Sequence, residues 1–247
     1  MNIRRAIELA REISDQPNVL VGRANLLSRA NGAYDRDGED AMLELERKVG
    51  YSMKVVDVGI GVHQAVKKNQ TVQSISYCSV QCAEPLRDAI YGYVLKKGDS
   101  AIVVYKDSLN FCWKRFTIVK ELSHLYSGTV TNSITQGAAA ITFAAKESRR
   151  IVPTLDTELD AETAAFYIAL EIMVPWRLRR QFNDLRAAGA TTYQLAKAFM
   201  IPQMFISHFT SDWNDRNTYA GLSFQINSQL NKKGDANDII VYAQSVS

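Results

Sequence analysis

The chain has 247 residues, 47% of them hydrophobic and 22% charged, which is typical of a globular protein that buries a core. Its net charge of +3 neither indicates nor excludes a nucleic-acid partner. No stretch approaches the ~20 apolar residues of a membrane-spanning helix, and the opening segment lacks the apolar core of a secretory signal. The three cysteines, an odd number, predict a reducing cytoplasmic location.

Helical periodicity dominates the first sixty residues. Ile3, Ala6, Ile7, Ala10 and Ile13 recur at helical spacing in the opening segment, MNIRRAIELAREIS. Two further helices are predicted in NVLVGRANLLSRA and EDAMLELERKVG, on either side of a loop rich in glycine and aspartate. We therefore predict a helical N-terminal region over residues 1–60.

Three strands are predicted next, in TVQSISYC, DAIYGYVL and SAIVVYK. Gly98 in the connecting KKGD suits a tight hairpin turn between the last two, and we expect a short antiparallel sheet. Cys78 and Cys82 are four residues apart, as metal ligands on a helix are, but the alternation in TVQSISYCSV favours a strand over a metal site.

Helical patterns return after the strands. RFTIVKELSHLY predicts one helix, and DAETAAFYIALEIMV predicts another that ends near Pro175. Pro175 suits the first turn of the next helix, PWRLRRQFNDLRAAG, which Gly189 closes. TTYQLAKAFMIPQMFISHF predicts two short helices with a break at Pro202, and a mixed tail with strand-like DIIVYAQ follows Asn217. Helices, then a short sheet, then helices predict the α+β class.

The segment RFTIVKELSHLY contains a pattern close to that of zinc peptidases. Lys120 and His124 are four residues apart and share one helix face, with Glu121 directly after the first of them. In an H-E-x-x-H zinc site the two paired positions bind the metal and the glutamate is the general base for the metal-bound water. Glu162 and Glu158 are the candidates for a third ligand. Taken alone, the same string also fits a half-exposed helix with an ordinary surface pair.

The surrounding sequence resembles the ImmA/IrrE family of metallopeptidases over roughly residues 85–210. In that family a strand leads into an Arg-Phe-Thr segment and an H-E-x-G-H helix, and a later helix reads E-x-x-A-x-x-x-A-x-x-L-L-x-P. The first motif is matched by Arg115, Phe116, Thr117, Glu121, Leu122, His124 and Leu125. The second is matched by Glu162, Ala165, Ala169, Ile172, Met173 and Pro175. The two short helices that follow look like the helix-turn-helix-like pair of the family.

The resemblance implies a zincin-like domain over residues 61–213, followed by a C-terminal extension over 214–247. In such a domain a short antiparallel sheet packs on the Lys-Glu-x-x-His helix and on the helix with Glu162, and the helix-turn-helix-like pair comes last. The ligands of the family correspond to His124 and Glu162, and its general base corresponds to Glu121. Ser123 stands where the family has glycine, and Lys120 stands where it has the first histidine.

Lysine changes the chemistry expected of this site. A protonated amine has no lone pair for a metal and adds a positive charge where a dication would lie. We therefore hypothesise that the ammonium of Lys120 replaces the metal and pairs with Glu121 and Glu162, which would otherwise be buried without a cation. This interpretation predicts no cofactor.

The competing hypothesis is an active zinc-dependent endopeptidase in which another residue supplies the missing ligand. His63, His208 and Glu158 are the candidates, although a histidine in the aromatic segment MFISHF is more often a core residue.

The resemblance also implies a regulatory setting, because members of the family occur beside repressor-type regulators in mobile elements and prophages. It follows that the chain either cleaves a repressor-type protein or engages one without cleavage. A DNA-binding regulator is a further alternative. The sequence disfavours it, because the second helix of the pair offers Gln203 and His208 but no lysine or arginine for phosphate contacts. The arginines of WRLRRQF are interpreted as a solvated face, with an acidic partner or nucleic acid as alternatives: Arg177, Arg179 and Arg180.

Overall fold

The computed structural model describes residues 1–14, 72–81, 91–128, 158–176, 179–210, 215 and 218–231. This part of the chain contains seven α-helices and three strands, which confirms the predicted α+β class. The helices are α1 (Ile3–Ser14), α2 (Phe111–Ser127), α3 (Ala161–Met173), α4 (Arg179–Ala187), α5 (Thr192–Phe199), α6 (Ser207–Thr210) and α7 (Tyr219–Asn231). A 3₁₀ helix at Gln203–Phe205 lies between α5 and α6. The strands are β1 (Ser74–Val80), β2 (Gly92–Lys97) and β3 (Ser100–Lys106).

The sheet is mixed, and the prediction of a purely antiparallel sheet is wrong. Its strand order is β1-β3-β2, with β2 antiparallel to β3 and β1 parallel to β3. The hairpin places β2 on one edge of β3, so β1 pairs with the opposite edge and runs in the same direction as β3. Alternating side chains specify that a segment is a strand, but they do not specify the direction of its partner.

The β2–β3 hairpin follows the turn chemistry of its sequence. Gly98 has a φ of 56°, a conformation that glycine adopts without steric cost, and Lys97 pairs with Ser100 across the two-residue turn. Ala101, Val103 and Tyr105 alternate along β3 and are buried, as is Val94 on β2. The buried face of the sheet therefore carries the apolar side chains that period-two alternation selects.

Helix α2 packs on β2 and β3, and its ends have sequence-encoded caps. The side chain of Asn110 accepts a hydrogen bond from the backbone N–H of Trp113, and Gly128 ends the helix with a φ of 69°. Helix and strand approach very closely at Gly92, where an added Cβ would overlap Cγ2 of Thr117 and lie 2.7 Å from the carbonyl oxygen of Val104. A residue without a side chain is required there.

Helix α3 is the centre of the described structure. Asp160 caps its start by accepting a hydrogen bond from the N–H of Thr163, and every residue from Thr163 to Met173 is buried. A helix that is buried on all sides must be surrounded by other elements, and α1 and α2 both pack against it. The predicted end of this helix near Pro175 is confirmed.

The last helices form a compact group. A reciprocal capping box between Thr191 and Gln194 starts α5, and Met200 ends it in the left-handed conformation with a φ of 54°. The guanidinium of Arg115, a buried residue of α2, donates to the carbonyl oxygens of Phe199 and Met200 at 3.0 and 3.2 Å. This cation satisfies carbonyls at the end of α5 that lack a partner within the helix, and it joins α5 to α2.

Other predictions differ in extent or lie outside the described residues. The helix predicted to start at Pro175 is assigned from Arg179, and the mixed tail contains helix α7. The predicted helices in NVLVGRANLLSRA and EDAMLELERKVG and the strand-like DIIVYAQ lie outside the described part of the chain. Among the helices that the structure describes, none is long and apolar enough to cross a membrane.

Candidate functional site

Helix α2 is buried along the whole Lys-Glu-x-x-His motif. Lys120 is 6% exposed, Glu121 is 2% exposed and His124 is inaccessible to solvent, because the sheet covers one side of the helix and α3 covers another. The interpretation of the motif as a half-exposed helix with a surface pair is therefore wrong. Burying three ionisable groups on one helix is costly unless each has a partner, so the geometry of their contacts decides what the site can do.

The four side chains of the motif and of α3 form one ion-pair cluster. The Nζ atom of Lys120 lies 2.8 Å from Oε1 of Glu121 and 2.8 Å from Oε2 of Glu162. The other carboxylate oxygen of Glu162 lies 3.1 Å from Nε2 of His124. Glu162 is in the first turn of α3, so the cluster fastens α2 to α3 through charged groups.

Protonation states in the cluster follow from these contacts. Burial opposes ionisation of Glu162, but the hydrogen bond from His124 and the charge of Lys120 outweigh it and lower the pKa of Glu162 to about 2. Burial likewise opposes the charge of Lys120, yet Glu121 and Glu162 together raise the pKa of its ammonium above the ordinary value. Lys120 is therefore a cation and Glu162 an anion across the physiological pH range.

A zinc ion does not fit this donor set. The Nζ atom of Lys120 is protonated and lies within hydrogen-bond distance of both carboxylates, so it offers no lone pair to a metal. The two ligand types that remain, the imidazole of His124 and the carboxylate of Glu162, are one fewer than the three protein ligands of a catalytic zinc site. Within the described residues, no group of three or more histidine, cysteine, aspartate or glutamate side chains is arranged to hold a metal ion.

The other candidate ligands are placed elsewhere or are not described. The carboxylate of Glu158 is largely exposed and pairs with the N-terminal amine of Met1 at 2.6 Å. His208 packs its ring edge-on against Phe166 and Phe205, and burial and the nearby charge of Arg179 lower its pKa to about 4, although a hydrogen bond to the backbone of Phe205 opposes the shift. His208 thus has the surroundings of a core histidine. His63 and Cys82 lie outside the described residues, and Cys78 is exposed on β1.

Ser123, a smaller departure from the H-E-x-G-H pattern, is also buried. Ser123, at the position of the family glycine, is completely buried and donates its hydroxyl to the carbonyl oxygen of Val119 at 2.8 Å. The hydrogen bond of the hydroxyl is therefore made within α2, and the small side chain allows close packing there.

A second buried polar cluster was missed by the sequence analysis. Glu171, on the third turn of α3, pairs with the guanidinium of Arg179 at 2.9 Å, and both side chains are almost completely buried. Tyr219 and Ser223 donate to the same carboxylate at 2.8 and 2.9 Å, and Asn227 donates to it at 3.4 Å. The interpretation of Arg179 as part of a solvated face is therefore wrong.

Two signals in the sequence point to this second cluster. Glu171 is a single charge inside an apolar helix, and such a charge requires a buried partner. Tyr219, Ser223 and Asn227 are spaced by four residues, which places three hydrogen-bonding side chains on one face of α7. The pattern indicates a buried polar seam but does not identify the arginine that completes it.

The resemblance to ImmA/IrrE metallopeptidases rests on ordered motifs, and the residues at their site positions, Lys120, Glu121, His124 and Glu162, lie in one cluster. Comparison with protein-family models, with curated proteins and with solved structures found no match to this chain.

Proposed function

We propose that this chain is a non-catalytic relative of the ImmA/IrrE metallopeptidases that regulates transcription in a mobile element or prophage by engaging a repressor-type protein. In this proposal the zincin-like scaffold is retained and the metal is not. The partner is bound without being cleaved. The family assignment and the regulatory setting come from the sequence motifs.

The observation that carries the proposal is the position of the Lys120 ammonium. It lies between Glu121 and Glu162 at 2.8 Å from each, where the resemblance expects a metal ion and its first ligand. A monocation placed between two carboxylates satisfies them and joins α2 to α3, which are the structural consequences that a bound metal has in a zincin.

The state of Glu121 supports the absence of catalysis. A general base must be within reach of the water that it activates, and its carboxylate must accept a proton. One carboxylate oxygen of Glu121 accepts a hydrogen bond from Lys120, and the side chain is 2% exposed. A buried carboxylate that is hydrogen-bonded to a lysine ammonium, as Glu121 is, is poorly placed to activate water.

Metal analysis tests the proposal directly. Protein purified without chelator and dialysed extensively should contain zinc far below one ion per chain by plasma mass spectrometry. Lys120→His, which supplies a second imidazole on the same helix face, should retain zinc in near-stoichiometric amounts. Zinc that stays stoichiometric in the wild-type chain after dialysis would defeat the proposal in favour of an active metallopeptidase.

The regulatory part is tested with repressor-type proteins encoded near the gene. Wild-type chain and Glu121→Gln should capture the same repressor equally well, with or without EDTA, and the repressor should remain intact by mass spectrometry. Loss of repressor integrity that depends on Glu121 and is blocked by EDTA would instead establish an endopeptidase.

A further inference from the structure

An open groove of about 570 Å³ lies on the surface of the last helices, away from the ion-pair cluster of α2 and α3. The residues that line it come from the end of α4, the start of α5 and the segment through α6: Arg186, Thr192, Gln203, Met204, Ser207 and Thr210. The volume is within the range of sites that bind small ligands or single side chains of a peptide.

Two hydrogen bonds hold the sides of the groove in place. The side-chain amide of Gln203 donates to the hydroxyl of Thr192 at 3.2 Å, which joins the 3₁₀ helix to the start of α5. Arg186 donates from Nη1 to the carbonyl oxygen of Thr210 at 3.1 Å, which joins α4 to α6. The guanidinium is thus fixed at the groove by a neutral acceptor, and Arg186 forms no ion pair with a carboxylate among the described residues.

The lining of the groove contains one positively charged side chain and one apolar side chain. Arg186 is the one charged residue in its lining, and the remaining polar groups are hydroxyls and an amide that can donate hydrogen bonds. Met204 is 45% exposed and adds an adaptable thioether. Beside the groove, Tyr193 follows Thr192 and is 57% exposed, with the ammonium of Lys197 5.9 Å from its ring centroid. Exposed tyrosine, methionine and arginine are the residues enriched where proteins bind proteins.

We propose that this groove binds an acidic segment of a protein partner, with a carboxylate of the segment on Arg186 and a neighbouring apolar side chain on Met204. This inference rests on the proposed function, in which the chain engages a protein, and adds the surface and the chemistry of contact. A nucleic acid is a poorer fit. Arg186 is the one cation among the lining residues and Lys197 lies near the exposed Tyr193 beside it, whereas nucleic-acid sites commonly neutralise about six to ten phosphates.

The test measures fluorescence anisotropy with short fluorescein-labelled probes: a peptide repeating Glu-Glu-Leu, a peptide repeating Lys-Lys-Leu, and a single-stranded DNA. The acidic peptide should bind the wild-type chain, and Arg186→Glu should weaken that binding by about tenfold because attraction becomes repulsion. Met204→Glu, a second exposed site in the groove, should weaken it as well. Circular dichroism and Tm establish that each variant is folded.

Lys97→Glu is the matched control, since it reverses one exposed lysine on the sheet and leaves the groove intact. The inference is overturned if Lys97→Glu and Arg186→Glu weaken the acidic peptide equally, if the acidic peptide does not bind, or if DNA binds more tightly than the peptide. Capture of the repressor separates this result from the proposed function. If Arg186→Glu still captures the repressor, the inference about the groove is wrong and the proposed function stands. If the acidic peptide binds at the groove but no repressor is captured, the inference about the groove stands and the proposed function is wrong.

Discussion

Lys120 is the residue on which the character of the site depends. Its ammonium is the cation that both Glu121 and Glu162 contact, and all three groups are buried or nearly so. Removing one partner of a buried ion pair destabilises a fold by more than the intact pair stabilises it. The remaining charge keeps its desolvation penalty and has lost the attraction that offset it. The cluster therefore makes the fold sensitive to this single charge.

We expect Lys120→Met, which is close in length but uncharged, to lower the free energy of unfolding by roughly 3–5 kcal/mol. Urea denaturation followed by circular dichroism measures the change. Lys97→Met removes an exposed lysine and should change stability by less than about 0.5 kcal/mol. If the two variants are equally stable, the ammonium of Lys120 is not the cation that holds this cluster together.

Glu162 makes the stability depend on pH in acid. Its pKa is about 2 in the folded chain and 4.5 for the ordinary group, so the native state binds the proton less readily than the unfolded state. The contribution of the carboxylate is fully present above pH 4.5 and is lost as the pH falls through about 2. The full difference corresponds to roughly 3 kcal/mol.

The measurement compares wild type with Glu162→Gln in urea at a series of pH values. The stability gap between them should be largest near neutrality and should shrink steadily below pH 4.5. Asp184→Asn, which removes an exposed carboxylate outside the cluster, is the matched control variant. A gap for Glu162→Gln that does not change with pH would show that the carboxylate is not held ionised by its neighbours.

Residue patterns anticipated the first buried cluster and not the second. Lys120, Glu121 and His124 lie within five positions of one helix, so helical geometry alone brings them to adjacent places, and Glu162 was identified through its motif. Arg179 lies in an amphipathic, arginine-rich segment, where a solvated face is the usual outcome. Its burial depends on α7, an element forty residues later in the chain, and local periodicity carries no information on such a contact.

At the scale of elements, α3 carries two carboxylates, one partly buried and one fully buried, that attach it to different neighbours. Glu162 faces α2, and Glu171 faces α4 and α7 about 13 Å further along the helix axis. Arg179 completes the second attachment by donating from Nε to the carbonyl oxygen of Val174 at 2.6 Å and by lying 4.5 Å from the ring centre of Phe209. Helix α7 is thus positioned by hydrogen bonds to a charge as well as by apolar packing.

A double-mutant cycle tests this attachment. We expect Glu171→Gln and Arg179→Met each to cost about 3–5 kcal/mol, because each leaves the opposite charge buried without its partner. The double variant should cost clearly less than the sum of the two, since neither charge remains. Thermal or urea unfolding gives all four values. Additive losses would mean that Glu171 and Arg179 stabilise the fold independently and that their contact is incidental.

The strands show which features of an element can be predicted from local sequence and which cannot. The turn at Gly98 and the strand in SAIVVYK depend on local sequence, and both were predicted correctly. The parallel pairing of β1 with β3 is not local, because every pair in its register joins residues 26 positions apart. The first pair is Ser74 with Ser100 and the last is Val80 with Lys106. It depends on which edge of the hairpin is available, and this is decided by the assembled fold.

At the scale of the whole molecule, a site held together by Lys120 means that the thermal stability of the fold does not depend on a metal ion. A ligand that binds only the folded state raises Tm, and its removal lowers Tm. We expect EDTA to leave the Tm of the wild-type chain unchanged and zinc to leave it unchanged as well. The Tm of Lys120→His should rise with zinc and fall with EDTA, which makes it the internal control. A fall in the wild-type Tm on chelation would indicate that a bound metal is part of the native fold.

Gly92 shows how a distant position restricts this site. The distance between strand β2 and the first half of α2 is so short that even a methyl group at position 92 would overlap Thr117 and the backbone of Val104. A larger residue would have to displace the helix that carries Lys120 one turn further on, and the 2.8 Å contacts to two carboxylates tolerate little displacement. Close packing at Gly92, one helical turn away from Lys120, therefore limits the geometry of the ion-pair cluster, and a substitution on this edge strand would weaken the cluster without altering any charged group.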